Sequence, residues 1–356
     1  LSQETGYPEQ DIFVFNVMMF GKDVSPSQQY ELDEAMLRQI PGVVDAAYSS
    51  NTPLSGSGSS SDFSLKPAPE ESKSARSSYM FIDEHGINTY GVKLIAGRNY
   101  TEDEVIVTDN YDELSKVTVV TKTLLDELFP DGNGLGQTVY FGDIPMKVIG
   151  VIDLMKGPWL KDSRPDNVAL LPFIKPGTNA RFVVRTEPGQ RQSVMNRVEE
   201  AMLKNYNKRV ISRIRGLDDD KESYMAEDTL MMRMLIVLIT ILVLVTALGI
   251  FGLTLFNISK RTKQIGTRRA LGARKSAIIS YFLVENAMIC VVGLVIGVIA
   301  AVYLGQLLMQ HFSIAQLDIS YVLATALAVF VMSLLAVLAP AKRAANISPS
   351  IATRTI

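Results

Sequence analysis

The sequence predicts an α+β extracytoplasmic domain followed by an all-α membrane domain of three transmembrane helices, and three observations carry that prediction. The first is a set of long uncharged runs: residues 234–259 and 319–341 hold no charged residue, and residues 286–317 hold only His311. Each reaches the roughly 20 apolar residues that a helix needs to cross about 30 Å of hydrocarbon. The second is segregation of charge. Residues 1–228 contain 35 acids and 24 bases, a net of −11, whereas residues 229–356 contain 2 acids and 11 bases, a net of +9. The third is the texture of residues 1–228, where short apolar segments of both helical and strand period alternate with Gly, Pro and Ser.

Sidedness follows from the connectors. The first two runs are joined by Lys260, Arg261, Lys263, Arg268, Arg269, Arg274 and Lys275, with no acid before Glu285; the next connector has no Lys or Arg. The positive-inside rule puts the basic connector and the tail with Lys342, Arg343 and Arg354 in the cytoplasm. Residues 1–228 and the loop at 310–318 then lie outside. The expected domains are 1–217, with room for two subdomains, and 218–356. The expected spans are about 234–257, 286–309 and 319–339, with a cytoplasmic segment at 258–277.

Taken in order, residues 12–20 read as a strand. Residues 27–40 read as a helix with Leu32, Met36, Leu37 and Ile40 on one side, stopped by Pro41-Gly42. Residues 43–49 read as a strand, 51–61 as a Gly/Ser loop, and 66–73 as an exposed excursion. Strands are expected at 77–82 and 117–120, a short helix at 122–128, and a hairpin of 139–141 with 146–152 about Gly142–Pro145. Strands at 168–171 and 182–186 precede a helix at 188–206 with Pro188 in its first turn. A last strand at 209–214 leads to a helix that starts at Asp218. Acids favoured by the macrodipole fill its first turns, and it runs without Gly or Pro into the first span.

Enzyme chemistry finds little support. The two histidines, His85 and His311, are far apart, and no metal-ligand spacing or Ser/His/Asp set can be assembled. Asp131-Gly-Asn-Gly-Leu-Gly136 lacks the Gly-Lys-Ser/Thr of a phosphate loop and reads as a turn. Trp159, beside Pro158, reads as a packing anchor. The single cysteine, Cys290, lies in the second span, so no disulfide staples the outer domain. An exported domain also requires an N-terminal export or anchor helix, expected outside this sequence.

In the membrane, Gly293 and Gly297 form a G-x-x-x-G pair and Gly249 and Gly252 interrupt the first span, a pattern suited to close helix packing. No Asp, Glu, Lys or Arg sits mid-span, which argues against a proton- or ion-coupled transporter. The basic connector has charges enough to adhere to anionic lipid at about 1 kcal/mol per residue. Lipid adhesion does not account for Ile265, Leu271 and two glycines among those charges. These suit a short amphipathic element that turns and docks.

The connector is also the most specific motif. Lys263-Gln-Ile-Gly-Thr-Arg-Arg-Ala-Leu-Gly-Ala273 resembles the cytoplasmic signature of FtsX-like ABC transporter permeases of the MacB type, close to T-R-E-I-G-I-R-R-A-L-G-A. The ending Pro340-Ala-Lys-Arg-Ala-Ala-Asn-Ile-Ser-Pro349 is similar to that family's P-A-R-R-A-A-x-x-x-P. Tyr90-Gly-Val-Lys-Leu-Ile-Ala-Gly-Arg98, Leu128-Phe-Pro-Asp131 with Leu135-Gly136, and Val148-Ile-Gly-Val151 resemble segments of its outer domain. The family's usual Glu is Gln264 here, and its usual acid after the last proline motif is Ile351.

The resemblance implies a four-helix fold of which three helices are present, in a bacterial inner membrane with the large domain periplasmic. It implies a permease subunit that dimerises with a second copy or a paralogue and binds a separate ABC ATPase. ATP and magnesium would sit on that partner, with no cofactor in this chain, because no Walker A motif occurs. Lys263, Gln264, Ile265, Gly266, Arg268, Arg269, Leu271, Gly272 and Ala273 would couple to the ATPase, and a periplasmic adaptor would join in an efflux role. The motion would be relayed to the outer domain for substrate extrusion without a conventional channel. The alternative is a membrane-anchored sensor or regulator of a periplasmic partner such as a cell-wall hydrolase or histidine kinase. Neither reading makes the chain an enzyme or gives it a nucleic-acid partner.

Overall fold

A computed structural model describes residues 4–21, 23–67, 72–108, 110–175, 177–311 and 318–347. The chain divides into two compact units, Leu1–Asp228 and Thr229–Ile356.

The first unit is built on two sheets. β1 (Ile12–Met19) lies between β11 (Asn179–Thr186) and β12 (Arg209–Gly216), and β2 (Val43–Tyr48) adds to β11, all antiparallel. Helices α1 (Pro26–Arg38) and α4 (Arg191–Asn205) cover this sheet. Between β2 and β11 the chain makes a long excursion that forms the second sheet. Its strands are β3 (Ser59–Ser64), β4 (Ser74–Ile82), β7 (Val117–Thr121), β8 (Thr138–Phe141), β9 (Ile144–Ile152) and β10 (Val168–Ile174). The order β4-β3-β8-β9-β7-β10 closes on itself through a parallel β4–β10 pairing, which removes two open edges. β5 (Leu94–Gly97) and β6 (Ile106–Val107) attach to β9 and β10, and the short helices are α2 (Gly86–Tyr90) and α3 (Lys122–Leu128).

Phe13, Phe15 and Phe182 of the small sheet share one core with Phe63, Phe81, Val148 and Phe173 of the closed one. That shared core makes residues 1–228 a single compact unit despite the two sheets.

Most of the strands expected from sequence are present, and the differences have physical causes. α1 exposes Leu32 and buries Gln29, Asp33 and Glu34 beside Tyr30 and Leu37, so its inner face mixes polar with apolar groups. The Gly/Ser loop ends early, because Ser59–Ser61 pair with Ser77–Tyr79. The helix expected at 188–206 begins at Arg191; Pro188 stays in the preceding turn, where Gly189 takes a φ of +77°. Residues 68–71 of the expected excursion and 312–317 of the expected outer loop lie outside the described residues.

The second unit holds most of α5 (Leu217–Lys260), then α6 (Thr262–Ala270), α7 (Lys275–His311) and α8 (Ile319–Ala345). Three of these helices are long and apolar enough to cross a membrane. α7 and α8 pack along each other, with Asn286 Nδ2 donating to Ser333 Oγ at 2.7 Å. At Gly249, Gly252, Gly293 and Gly297 an added Cβ would meet, among the described residues, nothing within 4 Å beyond the neighbouring backbone of its own helix.

Candidate functional site: a helix root and a cytoplasmic elbow

β12 runs directly into α5, so the last strand of the outer unit delivers the helix. Leu217 is fully buried and anchors the junction. Asp218, Asp219 and Asp220 occupy the first turn, where unpaired helix N–H groups favour negative charge. Each is also held individually. Arg191 on α4 forks onto both Asp218 oxygens at 2.5 and 3.0 Å, and Asp219 Oδ2 accepts from Gly216 N at 3.1 Å. Asp220 is buried, with Arg213 at 3.3 Å and Arg215 at 3.8 Å. Arg213 has a φ of +55° at a bulge in the β1–β12 ladder, a left-handed backbone that non-glycine residues seldom adopt. Lys221 reaches Glu9 at 2.8 Å, and Lys161 reaches Asp228 at 2.7 Å. The first turns of α5 are thus tied to α4, to β12, to the 157–165 loop and to the N-terminal segment before β1.

A buried charge cluster lies under α1. Arg209 pairs with Asp33, both side chains being inaccessible, and Asp33 also accepts from Gln29 at 3.0 Å and Asn205 at 2.8 Å. Nearby, Asp83 accepts from Tyr48 N at 2.6 Å and His85 N at 2.9 Å. Burial pushes the Asp83 carboxyl up to about 6, and burial beside Asp83 pushes Glu34 well above the usual carboxylate range. Asp45 is buried too, and burial alone would raise it. Hydrogen bonds from His85, Asn88 and its neighbour's amide outweigh that and hold it low, and the same His85–Asp45 contact raises the imidazole. Hydropathy periodicity does not reveal this cluster, because its residues are scattered polar ones in otherwise ordinary elements.

In the second unit, α6 turns back beneath the helices. Ile265 and Gly266 are buried against Ile258, Ile278, Phe282, Val337, Ala341 and Ala344. Lys263, Gln264, Arg268 and Leu271 are exposed, Leu271 to 83%. Gly272 follows with a φ of +93°, reversing the chain as a helix C-terminal glycine does, and Ala273 N donates back to Arg268 O at 3.0 Å. Arg269 Nη1 closes the same turn on Ala273 O at 3.0 Å. Arg261 binds Glu285 at 3.1 Å, and Lys275 donates to Asn346 at 2.7 Å. The residues expected to couple therefore fall into two sets: Ile265 and Gly266 fix the elbow to α7 and α8 and Arg269 closes its turn, whereas Lys263, Gln264, Arg268 and Leu271 face outward. Trp159 packs through its indole N–H, which donates to Gly56 O at 3.0 Å. Among the described residues no cluster of His, Cys, Asp and Glu is arranged to hold a metal ion.

Residues 3–201 match the MacB-like periplasmic core domain model, and residues 236–349 match the FtsX-like permease C-terminal model. The macrolide export ATP-binding/permease protein MacB of Neisseria gonorrhoeae is 30% identical over 234 residues, covering 61% of this chain and 34% of that protein. MacB 2 of Yersinia pestis is 26% identical over 278 residues, covering 74% of this chain and 40% of that protein. The chain thus spans about a third of the length of the curated relatives it matches. The crystal structure of the periplasmic region of MacB from Actinobacillus actinomycetemcomitans aligns with a TM-score of 0.35 at 17% identity, covering 59% of this chain and 91% of that one.

Proposed function

We infer the function from one premise: the chain belongs to the MacB-like periplasmic core domain family and carries an FtsX-like permease C-terminal region. It is a multi-pass inner-membrane protein with a periplasmic domain. On that basis it acts as the permease part of an ABC transporter, with ATP and its magnesium held by an ATPase in another chain or domain.

The observation that carries the reading is α5. It is one helix of 44 residues, Leu217–Lys260, whose first three turns belong to the outer unit and whose remainder forms the first span. A continuous helix resists bending because every turn is cross-linked by i to i−4 hydrogen bonds, so displacement at one end appears at the other. Nucleotide-driven closure of the ATPase would press on the exposed face of α6, with Leu271 as the apolar contact and Lys263 and Arg268 steering acidic partners. Ile265 transmits that push into α7 and α8 because it is packed against them. The outer unit answers through its grip on Asp218, Asp220 and Asp228, extruding a substrate without a channel through the membrane helices. A second permease copy and a periplasmic adaptor complete the working assembly.

Leu271→Glu tests this reading. The residue is exposed, so the substitution leaves the chain folded and inserted, whereas Ile265→Glu would bury a carboxylate in the elbow's own core. In proteoliposomes with the ATPase, Leu271→Glu should cut stimulated hydrolysis by about tenfold or more, the scale of losing an interface anchor. Unchanged hydrolysis and unchanged stimulation would remove α6 as the docking element.

A further inference from the structure

A polar cleft of about 180 Å³ opens in the first unit between β4 and the 157–165 loop. Its floor is Ser77 and Ser78, both buried. Ser77 Oγ donates to Ser78 O at 2.8 Å and Ser78 Oγ donates to Asn167 O at 3.1 Å. With its proton committed, the Ser78 hydroxyl keeps its lone pairs to accept hydrogen bonds in the cleft; Ser77, the neighbouring strand residue, carries its side chain on the opposite face. Gly157 lies close over Ser78, where a Cβ would fill the space beside its hydroxyl.

The walls differ in charge. Arg164 is ion-paired with Glu127. Arg76 donates to Ser60 Oγ at 2.9 Å and, among the described residues, has no carboxylate within 4 Å, so its guanidinium keeps most of its fork free. Asp162, also on the wall, uses Oδ1 to accept from Ser163 N at 2.6 Å and from Ser163 Oγ at 3.3 Å, and it disfavours a second negative charge nearby. Trp159, held at its ring edge by Gly56, supplies an aromatic surface. One free guanidinium, a hydroxyl acceptor and an indole wall match a compact monoanion that also carries a hydroxyl donor.

The same loop grips α5. Between Trp159 and Arg164 lies Lys161, whose ammonium is 2.7 Å from Asp228 and 5.1 Å from the centre of the Tyr224 ring, both on α5. The loop is fastened at its base by Lys156 and Asp166 at 2.5 Å. A ligand that pulls on Trp159 or the segment after it therefore pulls on the helix root.

We propose that this cleft binds a small hydroxylated carboxylate and that occupancy is passed to α5 through the Trp159–Arg164 loop. Trp159 is the sole tryptophan in the chain, so its fluorescence reports the site directly. The full chain in lipid nanodiscs, titrated with lactate, should give a saturable fluorescence change. Propionate, which lacks the hydroxyl, should bind more weakly, and glucose, which lacks the charge, should give none. Arg76→Ala should weaken lactate about tenfold to a hundredfold, the scale of one charge-assisted hydrogen bond. Arg76 is exposed on its strand, so that variant keeps its fold. No saturable response to lactate, an equal response to glucose, or undiminished affinity in Arg76→Ala would each overturn the site. Lactate should also slow amide exchange at residues 217–228, and Lys161→Ala should abolish that slowing while keeping the fluorescence response. Exchange that ignores lactate, or that slows equally in the variant, would overturn the transmission. No ATPase enters these measurements, so they stand or fall apart from the transporter reading.

Discussion

Residues 1–228 bury an ion pair and a carboxyl pair inside a two-sheet core, whereas the membrane helices bury very little of themselves. The most apolar stretches of α5 and α7 bury none of their residues, and that of α8 buries 11%. Among the described residues, a small cluster about Ile258, Ile265, Phe282 and Ala341 gives the second unit its core, and it sits at the elbow. The first unit carries its own stability, paying desolvation for charges that then fix α1, β12 and the helix root in register. The second is completed by its surroundings, since apolar side chains lose nothing by facing lipid. Substitutions in the first unit should therefore register as unfolding, and those in the second as loss of coupling.

The sharpest test of that contrast is Arg209→Ala. Removing one member of a buried pair strands the other, so the full chain in detergent should lose about 3–5 kcal/mol in denaturant unfolding of its first unit. A loss no larger than that of an exposed pair, about 1 kcal/mol or less, would show that the buried charges are not what holds α1 to β12.

A smaller effect is expected at Glu34. Glu34 and Asp83 hold protons more tightly folded than unfolded, so the stability they contribute is full below the ordinary carboxylate range and lost as pH rises, for Asp83 through about 6. Between pH 4 and 7 the first unit should therefore become progressively less stable. Glu34→Gln, which keeps a neutral side chain at all pH, should flatten that decline. A wild-type profile that is level or rising across the window would contradict the assignment.

Much of this was readable from sequence. The three spans, the basic elbow and the uninterrupted start of α5 follow from charge and length, because a bilayer punishes every departure from apolarity. β1, α3 and the β8–β9 hairpin follow from period and turn residues. Burial of Asp33, Glu34 and Asp83 was not readable, since each is paid for by a partner distant in sequence, such as Arg209 for Asp33. Leu32 misled because the buried face of α1 carries Asp33 and Glu34 beside Leu37, with Met36 and Ile40 packed on the core as expected and Leu32 alone turned out. The division of the elbow into a buried Ile265 and an exposed Leu271 also needed the fold, because both are apolar residues among charges. β5, β6 and α2 are too short to leave a periodic signal.

The proposed relay requires α5 to act as a rod, and breaking the helix tests that most directly. Met231→Pro with Met232→Pro places two helix breakers just beyond the turns held by the outer unit, at about 3 kcal/mol each. With the ATPase in proteoliposomes and spin labels on the outer units, nucleotide should change the label distances in the wild type. In the double variant hydrolysis should persist while the distance change disappears. A nucleotide-driven distance change of wild-type size in the broken helix would contradict the relay.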